Sequence, residues 1–180
     1  GYTVVQIGDG TSPVSNLNNV KTITISDGIE TIASNAFSGY TNIENITFPT
    51  TLTSLESGAL TGCTNLKNLD LSNTAITSTS GTLSGYSFIE SIKLPNNMTE
   101  LSGGSLYGCS SLKNVDLSNT KITTISGGAF SGCSILESIT FPTTLTTLQS
   151  GAFSGCTSLK SIDLSNTPLT SIQGGMFSGL

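Results

Sequence analysis

Residues 136–158 read LESITFPTTLTTLQSGAFSGCTS, and the rest of the chain is a set of variations on this phrase. After Leu136, the apolar Ile139 and Phe141 alternate with polar Ser138 and Thr140, which predicts a short strand with one buried face. Pro142 ends it, since proline donates no amide to a ladder. Leu145 and Leu148 bring the chain back to the core. Ser150 stands where an N-cap would precede Gly151-Ala152-Phe153, so one helical or 3₁₀ turn is expected there. The phrase starts at Val20, Ile43, Leu66, Ile89, Leu112, Leu136 and Leu159, at successive intervals of 23, 23, 23, 23, 24 and 23 residues. A period of this length marks a stacked repeat array, in which each coil buries its apolar face against its neighbours.

Of the 180 residues, 20–180 are expected to form one solenoid domain of seven coils, preceded at 1–19 by a cap or the tail of an earlier segment. No eighth strand is reached, so the array is read as an excerpt cut short at its C-terminal end, with Gly1 as a cleavage scar. Only 9% of residues are charged and the net charge is −5, with six lysines, no Arg and no His. The lysines are spread singly, so no basic stripe exists to hold phosphates, and nucleic acid is not an expected partner. No apolar run approaches the roughly 20 residues that span a bilayer. A monomer is expected.

Certain columns repeat at fixed phase. Gly39, Gly62, Gly85, Gly108, Gly132, Gly155 and Gly179 follow the expected turn, where a left-handed residue swings the chain into the next strand. Two coil types alternate: one ends its strand in Phe-Pro or Leu-Pro (Pro49, Pro95, Pro142), the other reads DLSNT. The repeating unit is then a pair of coils. In the second type Asn73, Asn119 and Asn166 are expected to be buried amides that tie up turn backbone. The second residue of successive coils runs Lys21, Glu44, Lys67, Glu90, Lys113, Glu137, Lys160, so stacking about 4.8 Å apart gives each charge opposite neighbours. One coil is irregular: at 66–88 Thr79 replaces a core Ile or Leu, and a residue is missing before Leu83. Weak local stability is expected there.

The pattern LxxIxFPxxLxxLxxGAFxGCxx, nearly whole at 136–158 and in outline from 20 to 180, resembles the BspA-like (treponemal-type) leucine-rich repeat. That resemblance implies an α/β repeat solenoid: a right-handed superhelix with a parallel concave sheet and short helical or 3₁₀ turns on the convex side. It implies a secreted or cell-surface protein that binds a protein partner or a host or cell-surface ligand, as adhesins do. The family's motif residues are structural, so no catalytic residue is carried over. The alternatives are a structural spacer, or a carbohydrate-binding module, which would need aromatic platforms where the strand face offers Thr, Asn, Ser, Asp and Lys.

Cys63, Cys109, Cys133 and Cys156 share a column with Tyr40, Tyr86 and Leu180, which calls for buried, free thiols, since parallel side chains make poor disulfides. With no CxxC and no His, no metal site is expected, and no cofactor. Asp70, Asp116 and Asp163 occupy the exposed strand face of alternate coils, with Lys93 between the first two. They are a solvated polar face or, alternatively, contact residues. Carboxylates two coils apart lie roughly 10 Å from one another, too far to share one calcium unaided. No Ser-His pair or enclosed pocket is implied, so the chain is not expected to be an enzyme. Residues that break polar columns toward apolarity are more informative: Phe88 and Ile135 where others carry Asn or Ser, and Tyr107 where others carry Ser or Thr. An exposed ridge of these three is the preferred contact site, with local repacking as the alternative.

Overall fold

The computed structural model describes residues 2–4, 19–178 and 180. The alternating residues that open each coil form a first ladder: β1 (Tyr2–Val4), β2 (Thr22–Ile25), β4 (Asn45–Thr47), β6 (Asn68–Asp70), β7 (Ser91–Lys93), β9 (Asn114–Asp116) and β11 (Ser138–Thr140). The second apolar pair of each coil forms another: β3 (Thr31–Ile32), β5 (Ser54–Leu55), β8 (Glu100–Leu101), β10 (Thr124–Ile125) and β12 (Thr147–Leu148). All pairings are parallel, and the register sets column against column, with Ile139 opposite Val115, Leu69 opposite Ile92 and Leu148 opposite Ile125. The chain is a parallel-strand solenoid of about six turns. Beyond Leu159 no strand forms among the described residues. There the coil meets its predecessor through a long backbone bond, Lys160 N to Glu137 O at 3.4 Å. The expected cap at 1–19 lies outside the described residues except for β1, which pairs with β2, and Asn19.

The core runs along the axis as stacked columns. Ile32, Ile125, Phe37, Phe130 and Phe153 are completely buried. Phe130 and Phe153 stack at 5.3 Å between ring centroids, and Phe141 meets Phe153 edge-on at 6.2 Å.

The first corner of each coil is turned in two ways. Where Pro49, Pro95 or Pro142 is present, the proline is buried at the strand end. In the DLSNT coils the aspartate replaces it: Asp70, Asp116 and Asp163 accept the amides of Ser72, Ser118 and Ser165 at 3.0, 2.9 and 2.9 Å. The hydroxyls of Thr74, Thr120 and Thr167 donate to the carbonyls of Leu71, Leu117 and Leu164 at 2.8, 2.7 and 2.7 Å. This corrects the expectation for Asn73, Asn119 and Asn166, which are exposed. A short Asp reaching two residues on and a Thr reaching three back already satisfy the turn, so the backbone leaves the asparagine no task.

The expected helical or 3₁₀ turn is also corrected: no helix forms among the described residues. Only alternate amides bond locally, Ala36 to Ala33 and Ser38 to Asn35, while Phe37 donates to Ala59 of the next coil and Gly39 to Thr61, both at 2.8 Å. A helix would spend every amide within its own turn. Here half of them join coil to coil, and the glycine column makes that approach possible. Gly62 has φ +80°, and a Cβ there would stand 3.2 Å from Gly39 Cα. Gly85, Gly108, Gly132 and Gly155 share the conformation; Gly179 lies outside the described residues.

Both ladders are interrupted at coil 66–88. No strand pairing closes β4 onto β6, and Ile46 is half-buried where Ile23, Leu69 and Val115 of its column are buried. Among the described residues, apart from the turn bond from Leu66 N to Cys63 O where one coil runs into the next, Ala75 N to Leu52 O at 2.8 Å is the one backbone bond between coils 43–65 and 66–88. The second ladder runs β3–β5 and resumes at β8, because the shortened coil contributes no strand. Thr79 is 1% exposed there, and its hydroxyl has no hydrogen-bond partner.

Candidate functional site

The strand face carries the charge column as ion pairs. Lys21 meets Glu44 at 2.7 Å, Lys67 meets Glu90 at 3.5 Å, and Glu137 meets Lys113 and Lys160 at 3.2 Å each. Among the described residues, Glu44 makes no ion pair to Lys67, nor Glu90 to Lys113. These two steps join a proline coil to the DLSNT coil that follows it. The alternation seen in the sequence therefore reappears as alternating closeness of the rungs from Lys21 to Glu137, and ends at Glu137, which pairs with a lysine on both sides. Hydrogen bonds from Lys160 and Lys113 hold the Glu137 carboxyl below its usual range.

Lys93 turns back onto Asp70 at 2.9 Å. Partial burial pushes the Asp70 pKa up, but the hydrogen bonds from Ser72 and Lys93 outweigh it and leave the group lowered. Asp163 is likewise lowered by its bonds to Ser165. Asp70, Asp116 and Asp163 thus each have a carboxylate oxygen engaged in turn geometry.

The four cysteines are buried and free. Each thiol donates to a carbonyl of the preceding coil: Cys63 to Phe37, Cys109 to Leu83, Cys133 to Leu106 and Cys156 to Phe130, at 3.1 to 3.3 Å. Burial pushes Cys63, Cys109 and Cys156 up to about 11, and Cys133, flanked by two thiols, upward as well. Thiolate chemistry is suppressed at such sites.

The three apolar exceptions divide. Tyr107 is 56% exposed and Ile135 44%, whereas Phe88 is half-buried, its ring stacked on Tyr86 at 5.6 Å and 29°. Phe88 therefore leaves the exposed ridge: the irregular coil placed Tyr86 inside, and Phe88 covers it. Tyr107 is held firmly, its carbonyl accepting the Gly85 amide at 2.7 Å. Ile172, 66% exposed, was missed by column reasoning because its column mates Leu148 and Ile125 are buried between coils. No group of residues suited to holding a metal ion occurs among the described residues, and no described helix is long and apolar enough to cross a membrane.

Comparison with known proteins agrees with this architecture. The profile of the BspA type leucine rich repeat region matches residues 11–122 and 84–180, in six copies. A leucine-rich repeat protein from Eubacterium ventriosum superposes with a TM-score of 0.75 at 29% identity, over 88% of this chain and 42% of that one. The leucine rich repeat protein of T. pallidum gives 0.64 at 23% identity, over 78% of this chain and 65% of its own. TLR13, solved in complex with ssRNA13, gives 0.67 at 24% identity over 23% of its length, a likeness of fold alone. The chain therefore spans less than half of the first relative and about two thirds of the second. No curated protein sequence matches it. Period, phased columns, parallel ladders and profile agree, and the chain belongs to the BspA-type leucine-rich repeat family.

Proposed function

We propose that the chain is a non-enzymatic binding module of a secreted or cell-surface protein, and that it contacts a protein partner through Tyr107 and Ile135. The observation that carries this reading is the exposure of Tyr107, an aromatic in a column otherwise polar, on a backbone fixed by its neighbours. A rigid aromatic loses little entropy on binding, which is why tyrosine is over-represented among interface anchors. Secretion or surface attachment is supported by family membership.

The test compares adhesion of beads carrying the natural chain, a Tyr107→Ser/Ile135→Ser variant and a strand-face Thr47→Ala/Thr140→Ala variant to surfaces coated with deglycosylated matrix proteins. Loss of adhesion in the first variant alone is expected. Loss in the strand-face variant alone, with both proteins folded, moves the site to the strands, and no adhesion by the natural chain removes the reading.

A further inference from the structure

The repeat supplies its own standard of comparison, because a residue that departs from its column departs from what stacking requires. Applied to polar residues, this standard picks out one place. At the seam between coils 89–111 and 112–135 lies a cavity of about 530 Å³, lined by Lys93, Asn96, Asn97, Asp116, Asn119 and Lys121 over a floor of Ile92 and Leu94. The equivalent seam between coils 43–65 and 66–88 holds about 200 Å³. Both arise where a proline corner is followed by the longer DLSNT corner.

Five residues at the larger cavity differ from their counterparts. Lys93 stands for Thr47 and Thr140, and Lys121 for Ala75 and Pro168. Asn96 and Asn97 replace the threonine pairs 50–51 and 143–144, and Leu94 replaces Phe48 and Phe141, which removes a ring and widens the groove. The threonines given up had structural work: Thr51 and Thr144 donate to the carbonyls of Ile29 and Ile122 at 2.8 and 2.7 Å. Asn97 makes no such side-chain bond among the described residues, nor do Asn96 and Asn119, both exposed. Of the six lysines, Lys121 alone lacks an ion pair among the described residues.

We infer that this groove binds an acidic sugar residue of a glycan, with Lys121 meeting the carboxylate and Asn96, Asn97 and Asn119 meeting ring hydroxyls. Amides both donate and accept, as hydroxyls do, so a cluster of three matches a polyol better than a purely anionic group. The carboxylate follows from the unpaired ammonium; the acid of the groove, Asp116, already receives the Ser118 amide. Ile92 and Leu94 are only 6% and 2% exposed, so the floor offers a protein side chain no apolar anchor. Recognition here runs through hydrogen bonds and charge, without the aromatic platforms that many sugar sites use.

The test is calorimetric titration of the 180-residue chain with a hyaluronan hexasaccharide, sialyllactose, neutral chitohexaose and a hexaglutamate peptide. Saturable binding of at least one acidic sugar is expected, with chitohexaose and hexaglutamate weaker by about tenfold or more. The two acidic probes tell uronate from sialate. Lys121→Ala and Asn96→Thr/Asn97→Thr, which install residues the fold carries at equivalent positions, each weaken it about tenfold or more, with circular dichroism unchanged. No binding of either acidic sugar, equal binding of chitohexaose or hexaglutamate, or undiminished binding by the variants overturns the inference. Tyr107→Ser/Ile135→Ser leaves sugar binding intact, so failure here and failure of the protein contact are separate results.

Discussion

The hydroxyl of Tyr86 accepts a hydrogen bond of 3.1 Å from the backbone amide of Leu60, one coil away. In the same column Phe37, Leu106 and Phe130 donate to the carbonyls of Ala59, Ala129 and Ala152. Coil 66–88 is one residue short at that point, and a tyrosine in the cysteine column makes the bond that its backbone does not. Tyr86→Phe is expected to leave the Leu60 amide buried and unsatisfied, lowering stability by about 1–3 kcal/mol, which a shift of the denaturant midpoint at constant slope would measure. An unchanged midpoint would mean that the Thr82 carbonyl or a water takes over.

Thr79 lies in the same coil, buried with an unpartnered hydroxyl. Thr79→Val keeps the shape and removes the polar atom, so stability should rise by about 1 kcal/mol. Hydrogen exchange should also be faster in coil 66–88 than in coil 112–135, where both ladders are continuous. Equal protection in the two coils, or a Val variant that is less stable, would refute the reading of this coil as the weak point.

Glu137 is the rung with a lysine on either side. Glu137→Lys should lower the midpoint at low ionic strength more than Glu90→Lys, whose site meets Lys67 alone at 3.5 Å, and salt should narrow the difference. The carboxyls of Glu137 and Asp70 lie below their usual values, so their contribution is present above the unfolded pKa, near 4, and is lost as pH falls through the folded one. A salt-independent difference between the two variants would count against ion pairing as the cause.

The thiols act at the other end of the scale. Their folded pKa values of about 11 lie above the unfolded value, so the folded state holds its protons longer. Their contribution is complete below about pH 8.5 and is lost as pH rises toward 11. Denaturation measured between pH 8 and 10.5 should show this fall, and Cys133→Ala should flatten it. Native protein should react slowly with a thiol reagent, and denatured protein without reductant should yield all four thiols. A Cys109–Cys133 bridge detected by mass spectrometry would overturn this.

Read alone, the sequence determined the period, the parallel ladders, the columns of the core and the alternating charge column along the strand face, although not which of its rungs close into ion pairs. Each of these depends only on residues returning to the same phase, and phase is a property of the chain. Tertiary structure decided what depends on competition between groups. Asn73, Asn119 and Asn166 looked like turn ligands, but Asp70 and Thr74 and their counterparts reach the same backbone groups at closer range. The outer turn looked helical, but its alternate amides find carbonyls in the next coil, which no reading of a single coil includes. Phe88 looked exposed by its column, yet the ring of Tyr86 offered it a partner. The seam groove beside Lys121 exists because two corners of unequal length are stacked. The inequality is written in the sequence, but the space it opens is a property of the packed coils.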